Sequence, residues 1–283
     1  MEDGFRIGIV GLGLIGGSLA KALRESAPGV EIYASDRRKK RVEMALGEGV
    51  ISGTLGKKNL PEMDIVVLAV PVQESVKVAR DLILRMAPES ILTDCGSVKG
   101  EIYRALQDYW KSPCFVAGHP IAGTERSGYE NGFPTLFRNR MVFLCPYKRT
   151  PRGKVALVKK MWERVGARVR TMDPDAHDHL FAFVSHLPHA VAYSLVHAIA
   201  TFDSPLPIGY SAGGFRDFTR IASSDPTMWT EIMLQNREEV LRALRHFRKS
   251  LGALEEMIKK GDEEAMKRYF RMAKKTRDSL PGV

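Results

Sequence analysis

Cysteine is scarce in this chain of 283 residues: Cys95, Cys114 and Cys145 are the only three, widely spaced and set in apolar runs. So odd and scattered a set supports neither a disulfide framework nor a thiolate metal site. It points to a reducing, cytoplasmic compartment in which the three serve as buried small hydrophobes. Long apolar runs are missing too. No segment approaches the roughly 18 uninterrupted apolar residues of a membrane span, and residues 1–5 lack the basic and apolar parts of an export signal. A soluble protein with no membrane partner is therefore expected. Proline and glycine, at 15 and 25 residues, are too few for a collagen-like or disordered chain. The length suits one large domain or two ordinary ones. What the chain has in excess is positive charge, 43 Lys and Arg against 33 Asp and Glu, for a net +10. From Glu231 to Val283 the surplus is interleaved, 13 basic residues with 9 acidic ones. That is the pattern of solvated helix faces, with no recognition motif and no stacking aromatics, so nucleic acid is not an expected partner.

Up to about residue 172, short β-branched runs alternate with amphipathic stretches. Strands are expected at Ile7–Val10, Glu31–Ser35, Ile65–Val70, Ile91–Thr93, Phe115–Ala117, Met141–Cys145 and Arg168–Thr171, with helices over Leu19–Glu25, Lys39–Leu46, Val72–Met86 and Lys154–Val165. Continuous apolar strands alternating with helices predict a parallel sheet covered on both faces. From Asp173 no strand is expected. Helices are predicted from Pro174 to about Ala200, from about Phe215 to Ala222, and from Pro226 to about Lys259, with a Gly/Ser/Pro-rich joint at Asp203–Gly214. Ser223-Ser224-Asp225-Pro226 is a start signal, a cap residue before a proline at the first helical position. An unbroken run from Pro226 would be roughly 50 Å long, more than so small a domain needs for itself, and such helices often pair with a second subunit. The expected fold class is thus α/β, an N-terminal Rossmann dinucleotide-binding domain at 1–172 followed by an all-α domain at 173–283. With the first strand starting near residue 6, no N-terminal partner domain is expected.

The first strand runs into Gly11-Leu12-Gly13-Leu14-Ile15-Gly16, a G-x-G-x-x-G followed by helical sequence. Gly11 suits a tight turn, Gly13 close approach of a pyrophosphate to backbone, Gly16 close packing of helix on strand, and Leu14 and Ile15 open the helix whose N-terminus faces the phosphates. The second strand ends at Asp36, 20 residues past Gly16, where a carboxylate accepts from both ribose hydroxyls and disfavours a 2′-phosphate. NAD is the expected cofactor. Arg37 and the cations after it keep NADP as the alternative, and Val70 and Pro71, at the end of the third strand, complete the cofactor-binding set.

In open α/β sheets ligands bind beyond the carboxyl ends of strands. There stand Asp94-Cys95-Gly96-Ser97-Val98-Lys99-Gly100 and Gly118-His119-Pro120-Ile121-Ala122-Gly123-Thr124-Glu125. His119, fixed between glycine and proline, has the chemistry of a base that takes a hydroxyl proton as hydride leaves the same carbon, and Ser97 can hold that hydroxyl. In the helical half, Ser185-His186-Leu187-Pro188-His189 contains a proline that should kink its helix. A metal bound by His177, His179, His186 and His189 is not expected, because no carboxylate or thiolate set accompanies them and hydride chemistry needs none. His177, His179, His197 and His246 default to structural or surface roles.

These segments, with Gly214-Phe215-Arg216-Asp217-Phe218-Thr219-Arg220-Ile221-Ala222 and Trp229, closely resemble the prephenate/arogenate dehydrogenase family of tyrosine biosynthesis. The resemblance implies oxidative decarboxylation of prephenate, a helical dimerisation domain and a homodimer formed through it. It also implies His119 and Ser97 as catalytic residues, His189 and Arg220 on the substrate side chain and carboxylate, and Thr124, Asp217 and Trp229 about the substrate, the last two at positions that can come from the partner subunit. Arg216 and Arg220 lie four apart, on one face of a short helix, and sequence does not divide the substrate's charges between them. Arogenate as substrate and a 3-hydroxyacid or imine reductase on the same plan are the alternatives. With no chorismate mutase segment before Arg6 and no regulatory domain after the helices expected, any inhibition by tyrosine would have to act at the active site itself.

Overall fold

Eight strands set the frame of the computed structural model, which describes residues 3–124, 126–202 and 211–280. In chain order they are β1 (Arg6–Val10), β2 (Glu31–Ser35), β3 (Gly53–Thr54), β4 (Ile65–Leu68), β5 (Ile91–Asp94), β6 (Cys114–Pro120), β7 (Met141–Cys145) and β8 (Arg168–Thr171). The sheet order is β3-β2-β1-β4-β5-β6-β7-β8, so the chain winds outward from β1 in both directions. The helices between them are α1 (Leu14–Ser26), α2 (Lys39–Gly47), α3 (Val72–Ile83), α4 (Gly100–Ala105) and α5 (Arg152–Arg164). Side chains of β4 alternate between two cores: Ile65 and Val67 join the cluster of α1 and α5, while Val66 and Leu68 join that of α3 and α4. Both faces are covered, which is why β4, Ile65-Val66-Val67-Leu68, is apolar throughout. At the margin β8 keeps Arg168 and Arg170, charges that discourage pairing of a free edge.

Two strand expectations need correction. The sheet is not wholly parallel, because β6 and β7 are antiparallel. Nor does β6 stop at Ala117: its first half pairs parallel with β5 through Val116, and residues 117–120 then pair with β7, His119 opposite Phe143. Gly118, His119 and Pro120 are weak strand formers on their own, and the second partner holds them extended.

Past β8 the described residues are helical: α6 (Pro174–Phe181), a π-helical turn (Ala182–His186), α7 (Leu187–Ala200), α8 (Gly213–Thr219), a 3₁₀ turn (Arg220–Ser223), α9 (Pro226–Gln235), α10 (Arg237–Lys260) and α11 (Glu263–Asp278). Of the predicted joint, residues 203–210 lie outside the described residues, as does Glu125. Caps match their signals. Asp173 accepts from the N–H groups of Asp175 and Ala176, with Pro174 first in the helix, and Asp225 accepts from Met228 N–H before Pro226. The proline kink at Pro188 takes the form of the widened π turn just before it. The single long helix expected from Pro226 is two, because the chain leaves helical geometry at Asn236, whose side chain bonds to Asp178 and His186 instead.

The chain forms two compact units, Met1–Asn236 and Arg237–Val283. In the second, α10 and α11 make a helical hairpin. Gly261, at φ 63°, closes α10: its N–H donates to Ile258 and that of Asp262 to Met257, a Schellman ending that only glycine enters cheaply. Ser250 on α10 and Tyr269 on α11 share a hydrogen bond of 2.7 Å between hydroxyls.

Candidate active site

The carboxyl ends of β1, β4, β5 and β6 bring the glycine-rich loop, Val70, the Asp94–Lys99 segment and His119 to one edge of the sheet. Gly11 turns at φ 100°, and a Cβ there would lie 2.4 Å from the carbonyl oxygen of Ala69. At Gly16 a Cβ would come within 1.9 Å of Gly11 O, so helix and loop could not close. A Cβ at Gly13 would meet nothing within 4 Å and would project into open space. Leu14 and Ile15, partly buried, begin α1, whose N-cap is Gly13: no side chain caps the helix and no acid stands in its first turn. An uncapped helix N-terminus beside an open glycine fits a pyrophosphate. Asp36 holds this loop in place, accepting from Leu12 N–H at 2.7 Å and Arg38 N–H at 2.8 Å, with Arg41 at 3.5 Å. Arg37 reaches away from it to pair with Glu74 at 2.6 Å. Val70 lies against Gly11, and Pro71 caps α3.

His119 is 9% exposed and belongs to a chain of hydrogen bonds. Its Nδ1 is 2.8 Å from Nε2 of His177, whose Nδ1 is 2.8 Å from Asp178 Oδ1. Asp178 also accepts from the N–H groups of Lys99 and Gly100, both at 2.8 Å, where α4 begins. The carboxylate fixes the tautomers. It requires the proton of neutral His177 on Nδ1, so His177 Nε2 accepts, His119 Nδ1 donates, and His119 Nε2 is left as the free base. Phe181 packs edge-on against His119, with ring centroids 5.0 Å apart. Burial, then His177 and Lys99, hold the His119 imidazole well below the ordinary histidine value, so it is neutral and able to accept. Burial lowers His177 as well, partly offset by Asp178. Burial raises Asp178, but His177 and the two N–H donors outweigh it and keep the carboxylate below its usual range.

His186 and His189 take different partners. His186 Nδ1 accepts from the Asn236 amide at 3.1 Å, and burial pushes its pKa down to about 4. The same amide donates to Asp178 O at 2.8 Å, tying α6 to the end of α9. His189 donates from Nδ1 to Ser185 O at 2.9 Å, and its ring stacks on Trp229 of its own chain with centroids 3.5 Å apart.

The remaining expected residues are less closely gathered. Ser97 is partly buried just past β5. Thr124 is exposed, its hydroxyl engaged with Arg126 backbone. Arg216 and Asp217 are exposed on α8, and Arg220 is exposed where the 3₁₀ turn begins. Both elements pack on α7, the helix of His189. His177 corrects the sequence reading: assigned a structural or surface role, it is fully buried and bonded directly to His119. Its signal was the His177-Asp178 pair at the start of a helix. Asn236 and Asp178 were also missed.

A doubly wound sheet with a glycine-rich turn at β1 and a neutral, oriented histidine at a neighbouring strand end defines a dinucleotide-dependent dehydrogenase. Residues 19–171 match the model of the prephenate dehydrogenase nucleotide-binding domain, and residues 173–272 that of the prephenate dehydrogenase dimerization domain. The chain belongs to the prephenate dehydrogenase family. It is 37% identical to the cyclohexadienyl dehydrogenase of Zymomonas mobilis, over 97% of this chain and 95% of that protein. Among solved structures it is similar to prephenate dehydrogenase from Aquifex aeolicus in complex with hydroxyphenyl propionate and NAD+, with TM-score 0.89, 40% identity and coverage of 96% and 97%. It is also similar to Synechocystis arogenate dehydrogenase, with TM-score 0.85, 29% identity and coverage of 97% and 99%.

Proposed function

We propose that this chain converts prephenate to 4-hydroxyphenylpyruvate and CO2 with NAD+ as oxidant. The observation that carries this reading is the His119–His177–Asp178 chain, which leaves His119 Nε2 as an oriented neutral acceptor at the strand ends beside the glycine-rich loop. Gly11, Gly13, Gly16, Leu14, Ile15, Asp36, Arg37, Val70 and Pro71 are assigned to the dinucleotide. When bound, its oxidised nicotinamide supplies the acceptor for hydride.

His119 Nε2 takes the proton of the ring C4 hydroxyl as C4 gives up hydride and becomes a carbonyl; the ring carboxylate then leaves as CO2, its bonding pair makes the ring aromatic, and the resulting phenolate oxygen takes the proton back from His119. The positive charge that forms on His119 is stabilised through its hydrogen bond to His177 and the Asp178 carboxylate behind it, which stays ionised. Because the ring becomes aromatic, the site needs orientation more than a strong base, and a depressed imidazole suffices. Ser97 orients the hydroxyl. His189, its ring pinned by Trp229 and Ser185, presents Nε2 to the substrate side chain. Arg220 receives a carboxylate, and Asp217 and Thr124 are assigned to the substrate with it. The Zymomonas and Synechocystis relatives keep arogenate as the second reading.

The organisation proposed is a catalytic pair of domains, 1–172 and 173–283, assembled as a homodimer through the C-terminal helices. The dimerization-domain match and the exposed apolar side chains Leu251, Ile258 and Phe270 support it. No described helix is long and apolar enough to cross a membrane. The deciding test is a steady-state matrix of prephenate and arogenate against NAD+ and NADP+. Turnover should be greatest with prephenate and NAD+, and no turnover in any of the four combinations would sink the reading.

A further inference from the structure

Lys99 is fully buried, and such a lysine is costly unless its charge has work to do. Its ammonium is paired with Asp94 and donates to Gly118 O at 2.7 Å. From the other side, Asp94 Oδ1 accepts from Gly118 N–H at 3.0 Å, and Asp94 Oδ2 from Gly96 N–H at 2.9 Å. Both polar groups of Gly118 are thus taken by this one pair, and Gly118 O belongs to the peptide that ends at the nitrogen of His119. The neighbouring glycines leave room for it. A Cβ at Gly118 would lie 2.7 Å from Asp94 O, and one at Gly96 2.9 Å from Asp94 Oδ2. Lys99 also meets the far end of the histidine chain, since its own N–H donates to Asp178. A buried ion pair adds little to stability over an apolar pair of the same volume, so its placement calls for another account.

We propose that Lys99 and Asp94 are a positioning pair for His119: they clamp the Gly118–His119 peptide from both sides, and the ammonium sets the charge felt by the imidazole. The proposal rests on the reading of His119 as the base. The groups that face this imidazole are His177 and Phe181 from α6, His186 from the π turn, and Lys99 from the β5–α4 connection; Asp178 stands behind His177 and Asp94 behind Lys99. Lys99 is the cation in that set, and it opposes protonation of His119.

Charge gives the pair a signature that simple loosening of the fold lacks. In Lys99→Met the cation is gone and Asp94 remains, so protonated His119 is favoured. In Asp94→Asn the cation is unopposed and protonated His119 is disfavoured. The test measures kcat/KM for prephenate against pH in the full-length protein, NAD+ affinity by fluorescence quenching, and thermal melting. In Lys99→Met the acid limb should rise by at least about half a pH unit and kcat fall about tenfold or more, with NAD+ affinity within about threefold. In Asp94→Asn the limb should not rise, and the double variant should return it close to the wild-type position. Lys99→Arg, which keeps the charge but changes the reach, should lower kcat without moving the limb, and it carries the test together with the double variant where Lys99→Met does not fold. A limb that stays in place without the ammonium, or rises equally in both single variants, overturns the pair. A wild-type protein that turns over neither prephenate nor arogenate overturns instead the functional reading beneath it.

Discussion

At His119 the role proposed rests on neutrality combined with a fixed tautomer. Replacing it with asparagine keeps a side chain that can bond to His177 but no longer takes a proton. His119→Asn should lower kcat by about 10²–10⁴-fold with KM for prephenate within about threefold; a raised KM with kcat intact would make His119 a binding residue. Because burial and its two neighbours hold the imidazole low, the active neutral form persists as pH falls through the usual histidine range, and kcat/KM should stay flat across pH 6.5. A midpoint at or above that value in the pH profile would contradict the geometry. His119 was legible because Gly-His-Pro after an apolar strand is a local signal. His177 was not, since it lies 58 residues on, and only folding shows that α6 delivers it to the same point.

Among elements, the loop before α1 separates two uses of glycine. Gly16→Ala forces a carbon onto Gly11 O and should lower the melting temperature, whereas Gly13→Ala touches nothing in the protein. Gly13→Ala should melt within about 2 °C of wild type yet bind NAD+ at least about tenfold more weakly, the methyl standing where the pyrophosphate is proposed to approach. Equal NAD+ affinity by titration calorimetry would mean the loop is structural alone. Strands β1, β2, β7 and β8 were readable from β-branched runs, and β6 was underestimated because its last residues owe their extension to β7. The break between α9 and α10 left no trace, since Gln235-Asn236-Arg237 is compatible with helix. It is the amide of Asn236, drawn to Asp178 and His186, that ends α9.

For the molecule as a whole, buried histidines tie stability to pH. His186 titrates near 4 in the folded chain and near 6.5 when unfolded, so the unfolded state binds the proton first. Stability is therefore full above about pH 6.5 and declines as pH falls toward 4, by about 3 kcal/mol from this group alone, with His119 and His177 acting in the same direction. Denaturant melts at pH 7.5 and pH 5 should show the loss, and His186→Asn should reduce it. The proposed dimer predicts a sedimenting mass about twice 31.6 kDa, falling to one chain when Leu251 and Ile258 are both replaced by aspartate. The +10 charge that the sequence carries turns out to be spent partly on the second unit's own faces, where Lys259, Lys267 and Lys274 pair with acids three or four residues away. Composition could not show which cations are so engaged.

The π turn at Ala182–His186 acts as a one-tooth gear. Twelve residues along an ordinary α-helix would leave His177 and His189 about 120° apart around the axis. One extra residue absorbed in the wide turn reduces this to about 20°, so both rings project from the same side of one rod. The two rings are therefore indifferent to the loss of a residue here: deleting one would regularise the helix and leave His177 and His189 about 20° apart, whereas winding the same twelve steps as ordinary α-helix would swing His189 about a quarter turn away.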